Sequence, residues 1–240
     1  MKALETVDRV TAKIAPGRSP SFAGAHVIKA LEGISAQGIV GRLKLSKDLH
    51  LGEGETRTLV KHLKNEGLIE VSKSGISLSE AGRKLFLSLR TVLSEQVAIP
   101  STGLTVGRFN VAVRVAGMKN SVKYGLEQRD AAMMAGAKGA TTLVYTKNGL
   151  ALPGTGEDVL KSCSAIIATL SKLSLKEGDV VIIGSADEKI KAELGAKTAA
   201  LELLKASQGK PRTPSITQTS ETLYDHSSKE RHAQHSILSK

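Results

Sequence analysis

The chain has 240 residues, 40% apolar and 24% charged, and its 34 Lys and Arg against 23 Asp and Glu leave it at net +11 with a pI near 9.7. No apolar run approaches the ~20 residues that span a bilayer, and the single cysteine, Cys163, allows neither an internal disulfide nor a cysteine-built zinc cluster. The basic balance favours a polyanionic partner, the length favours two modest domains, and the acid-bearing start does not read as a secretory signal, so a cytoplasmic protein is expected.

Leu4, Val7, Val10 and Ile14 recur at helical spacing before Pro16 and Gly17, which predicts a leading amphipathic helix in residues 1–18. Ser19 and Pro20 then read as N-cap and first residue of a helix with Phe22, Val27, Ile28 and Leu31 inward. Residues Gly38 to Arg42 suit a short strand, and LKLSKDLHL suits two helical turns with Leu45 and Leu49 on one side. After the permissive Gly52-Glu53-Gly54 turn, a third helix starts near Glu55.

In that third helix Thr56, Leu59, Val60 and Leu63 form the expected core face. The opposite side would carry Arg57, Thr58, Lys61, His62 and Asn65, with Lys64 on the flank. Arg and Lys match guanine edges, Asn matches adenine, and all of them reach phosphate, which is the chemistry of a recognition helix. Gly67 ends the helix, and Leu68 to Val71 and Ile76 to Leu78 read as two short strands with Lys73-Ser74-Gly75 at the tip. Ser79 caps a helix running to about Gln96, with Ala81, Leu85, Phe86, Leu89 and Leu93 inward.

This stretch, Thr58 to Gly82, resembles the winged-helix regulators of prokaryotes. The shared pattern is a recognition helix, Gly-Leu-Ile, a glycine-tipped wing and a Leu-Ser-x-x-Gly helix start. The resemblance implies a winged helix-turn-helix over residues 19–97 that reads double-stranded DNA. The stripe of Leu85, Leu89 and Leu93, with the leading helix, suggests a homodimer.

Residues 98–104, with Pro100 and Gly103, read as a linker to a second domain over 105–207. There Phe109, Val111, Val113 and Val115 alternate with Arg108, Asn110, Ala112 and Arg114, the pattern of a strand buried on one face. Asn120 is the expected cap of a helix through Val122, Leu126, Met133 and Ala135. Thr141 to Thr146 is a strand, with Asn148-Gly149 as a hairpin turn returning through Leu150 to Leu152. A helix with Val159, Leu160, Cys163, Ile166, Ile167 and Leu170 follows, then a strand from Asp179 to Gly184 and a last helix from Asp187 to about Lys205.

The fold class is therefore α+β: a winged helix-turn-helix followed by a ferredoxin-like βαββαβ sandwich with helices on one sheet face. The segments Gly125-Leu126-Glu127-Gln128-Arg129-Asp130, Gly139-Ala140-Thr141, Leu152-Pro153-Gly154 and Gly178-Asp179 make the whole chain similar to archaeal winged-helix proteins with an uncharacterised C-terminal domain. Residues 208–240 are polar and read as a disordered tail, where His226, His232 and His235 lack partner carboxylates and are not expected to hold metal.

No catalytic constellation emerges. Cys163 has no nearby histidine, and Gly154-Thr155-Gly156 lacks the Gly-Lys-Ser/Thr of a P-loop. No cofactor is expected. A small anionic effector held by Arg108, Arg114, Arg129, Gly154, Thr155 and Gly156 is the expected guest of the second domain. The sequence thus reads as a transcription regulator. The alternatives are an RNA-binding or architectural protein and, third, an enzyme fused to a winged helix.

Overall fold

The computed structural model describes residues 2–13, 20–155, 159 and 164–208. The expected tail, Ser19, Gly156 and Cys163 lie outside the described residues. The N-terminal part comprises α1 (Lys2–Thr11), α2 (Gly24–Gln37), α3 (Arg42–Leu49), α4 (Glu53–Asn65), the hairpin β1 (Ile69–Ser72) and β2 (Gly75–Leu78), and α5 (Glu80–Val92). The C-terminal part comprises β3 (Val97–Ile99), β4 (Phe109–Val115), α6 (Leu126–Met134), β5 (Gly139–Thr146), β6 (Gly149–Ala151), α7 (Ser164–Leu170), β7 (Val180–Ala186) and α8 (Lys189–Ala206).

Local chemistry sets these boundaries. Helix α2 begins after Ala23 rather than at Pro20, because His26 Nδ1 accepts the Ala23 N–H at 3.1 Å and closes the first turn. Helix α4 begins at Glu53, where the Glu55 carboxylate accepts the Gly52 N–H at 2.9 Å. At its other end Leu68 N–H reaches back to the Leu63 carbonyl at 2.9 Å, and the chain turns into β1. The hairpin closes at Gly75, whose φ of 139° and approach to the Val40 carbonyl leave no room for a side chain. The strand expected over Gly38 to Arg42 shrinks to one residue, Val40, which exchanges two 2.9 Å hydrogen bonds with Ile76. Ser79 caps α5 through a 3.0 Å bond from Gly82 N–H, as its position before the helix implies.

The second sheet has the order β3-β4-β7-β5-β6 with every neighbouring pair antiparallel. Strands β4 and β5 are therefore parallel to each other and flank β7. A ferredoxin-like sheet inserts the return strand of the hairpin between these two. Here β7 takes that place and β6 is pushed to the edge, which corrects the expected topology. The hairpin loop is Lys147-Asn148, since Gly149 already pairs with Thr146. Likewise the expected helix from Asn120 is only a single 3-10 turn at Lys119–Ser121, and α6 starts after Gly125.

The expected linker is partly sheet. Val97 to Ile99 pair with β4, and the Leu104 carbonyl accepts the Thr141 hydroxyl at 2.6 Å. Strand β4 is also buried on both faces, not one. Val111, Val113 and Val115 join the core under α6 and α8, while Ala112 joins Leu143, Leu170, Val181 and Ile183 on the other side. The core under α8 runs on without a break into Leu31, Ile34, Leu59 and Leu63. Helices α2 and α8 form the seam, with Ala25, Ile190 and Leu194 packed together.

Candidate nucleic-acid interface

Helix α4 buries Thr56, Leu59, His62 and Leu63 and leaves Arg57, Thr58, Lys61, Lys64 and Asn65 exposed. Its outer face therefore carries three cations and an amide. The hairpin tip adds exposed Lys73, held in a turn where Ser72 Oγ accepts the Ser74 N–H at 3.2 Å. Among the described residues none of Arg57, Lys61, Lys64 or Lys73 is tied to an acid. Unneutralised cations on a rigid helix attract phosphate and release its counterions.

His62 does not belong to that face. Its Nδ1–H donates to the Val10 carbonyl at 2.7 Å, and its ring meets Phe22 edge-on at 5.5 Å. The histidine pins α1 against α4, and Arg9 adds an ion pair with Glu66 at 2.9 Å. Leu4, Val7 and Val10 are buried in the core, and Leu85, Leu89 and Leu93 are buried in the same core. Neither stripe is left over for a second chain, so the features that suggested a homodimer are intramolecular. Arg42 and Lys47 are exposed on α3, ahead of the turn into α4, and were not singled out by sequence. A cation every few residues on a short helix resembles any solvated face, and only the neighbouring α4 gives it meaning.

The residues expected to hold an anionic effector do not converge. Arg108 and Arg114 lie at opposite ends of β4, about 20 Å apart at strand rise. Arg108 lies over the neighbouring Phe109 ring at 5.4 Å. Arg114 is committed to Asp179 at 3.3 Å, a buried carboxylate that also accepts the Gly117 and Lys176 N–H groups at 2.9 Å. Arg129 is exposed on α6 and bonds its neighbour Asp130 at 3.0 and 3.1 Å. Gly154 packs against the Tyr124 ring at a φ of 83°, Thr155 is exposed, and Gly156 lies outside the described residues. Arg114 is thus a staple of the sheet, not a free anion receptor.

Among the described residues no group of His, Cys, Asp and Glu is arranged to hold a metal, and no helix is long and apolar enough to cross a membrane. Residues 27–93 match the family described as the CggR N-terminal DNA binding domain. Residues 106–203 match a family described as a domain of unknown function, DUF4443. No curated protein matches the chain. Among solved structures, a hypothetical protein from Pyrococcus horikoshii OT3 matches at 24% identity and a TM-score of 0.57, covering 75% of this chain and 98% of that one, which shows a shared fold. The chain joins an N-terminal segment similar to a DNA-binding domain to a C-terminal sheet domain, and the N-terminal match supports a DNA-binding regulator.

Proposed function

We propose that this chain is a cytoplasmic transcription regulator whose α3 and α4 form a helix-turn-helix and whose β1–β2 hairpin is the wing. In this reading α4 enters the major groove. Arg57, Lys61 and Asn65 face base edges, and Thr58, Lys64 and the wing's Lys73 take phosphates. The observation that carries it is the exposed, unneutralised face of α4 within the segment that matches a DNA-binding domain. The C-terminal sheet domain serves regulation, through response to a small ligand or through pairing of two chains. Catalysis has no part in the reading.

The competing RNA-binding or architectural reading needs a surface for unstacked bases. Aromatic residues make up only 2% of the chain, and α4 has none on its outer face. Single-stranded RNA is held largely by stacking, so this composition favours a duplex. Selection from a random duplex pool, with single-stranded RNA as competitor, tests the proposal. Enrichment of a defined duplex that RNA does not displace supports it, and recovery of no preferred duplex refutes it.

A further inference from the structure

Where the C-terminal half of α2, α5 and the chain entering β3 meet, Glu32, Ser35, Phe86, Arg90, Glu95 and Gln96 line an open cleft of about 380 Å³. That volume falls within the range of small-molecule sites, roughly 300 to 1,000 Å³. Its polar groups are incompletely matched. Arg90 Nη2 is bonded to Glu95 at 2.6 Å, but Arg90 Nη1 and Gln96 Oε1 are shielded from solvent and have no hydrogen-bond partner among the described residues. A shielded donor or acceptor left unpaired is costly, so a rearrangement that pairs both is favoured.

The Glu95 side chain is 81% exposed, whereas that of Arg90 is 25% exposed and lies 5.9 Å over the Phe86 ring. The arginine is held and its partner is not. Exposed ion pairs contribute little, so a carboxylate guest can take the place of Glu95 on Arg90 Nη2, and a turn of the guanidinium that uncovers the shielded Nη1 completes the two-pronged geometry that a guanidinium favours. The Glu32 carboxylate also lines the cleft, is only partly buried, and is an acceptor suited to an ammonium group. The ring of Phe86 adds an apolar part to the lining.

We propose that this cleft binds a free α-amino acid, with its carboxylate on Arg90 in exchange for Glu95 and its ammonium toward Glu32. The proposal stands apart from DNA binding and does not need it. Glu32 is also the counter-ion of Lys197 at 2.9 Å, so an ammonium drawn to Glu32 acts at the α2–α8 seam.

The test is thermal shift of the full chain with each of the common L-amino acids, with acetate and methylamine as single-charge controls, followed by calorimetric titration. At least one amino acid should raise the melting temperature where the controls do not. R90Q should then lose about tenfold in affinity, equivalent to ~1.4 kcal/mol. E95A removes only an exposed competitor, keeps the fold and should bind more tightly than the unaltered chain. No response to any amino acid, an equal response to acetate, unchanged affinity in R90Q, or weaker binding in E95A would each overturn the proposal.

Discussion

Both carboxylate oxygens of Glu32 on α2 lie within 3.0 Å of the Nζ of Lys197 on α8, and the lysine side chain is completely buried. Burial pushes the Lys197 ammonium below its ordinary value, with Glu32 opposing that push. Beside them Lys29 pairs with Glu193, a carboxylate that is itself buried. The seam between the two halves therefore rests on alternating charges set in an apolar contact.

Removing one partner leaves the other uncompensated. E32A should destabilise the chain by about 3 kcal/mol, whereas the double change E32A/K197M should recover most of that loss. Denaturant unfolding of the three proteins checks it. Equal stability of E32A and the unaltered chain would mean that Lys197 is satisfied without its partner.

Gly82 opens α5 directly over the entry to β1, and a Cβ there would stand 2.0 Å from the Leu68 carbonyl oxygen. G82A should cost about 3 kcal/mol and lower the melting temperature by roughly 6 to 12 °C. Calorimetry that shows no change would place the hairpin farther from α5.

The N-terminal part was legible because its punctuation is local. Gly67, the Gly75 turn and the Ser79 cap each act within a few residues, so their meaning survives in one dimension. His62 was misread for the opposite reason. It lies on a flank of α4, and only the docking of α1 decides which flank is wet. The same dependence hid the edge strand Val97–Ile99, too short to show a period, and the insertion of β7 between β4 and β5. Alternation predicted a one-faced β4, but Ala112 and Asn110 are small enough to be covered by a second layer. Arg114 looked available because its partner Asp179 is 65 residues away.

Burial holds the His26 imidazole below its ordinary 6.5 against the raising effect of the nearby Glu55 charge. The folded chain therefore binds fewer protons at this site than the unfolded chain, and stability falls as pH drops through 6.5 toward the folded value. Melting temperatures taken from about pH 7.5 to about pH 5.5 should decline, and the decline should flatten in H26N. An identical slope in H26N would assign the acid sensitivity elsewhere.

A two-fold site requires two chains, and one helix-turn-helix reads only a half-site. With the leucine stripes buried, Tyr124, Leu126, Met133 and Met134 on and beside α6 form one exposed apolar group among the described residues, and pairing through it is the expectation. Light scattering should give about twice the 25.3 kDa chain mass, reverting to one chain in L126E/M133E. A single-chain mass with and without DNA would remove pairing from the account.

The reading of α4 as the base-reading helix is tested most directly by fluorescence anisotropy on a selected duplex and on a random one of equal length. R57A should lose about 1 to 3 kcal/mol on the selected duplex and much less on the random one, while K73A should weaken both alike. Equal losses for R57A on the two duplexes, or no loss on either, would contradict a base-reading α4.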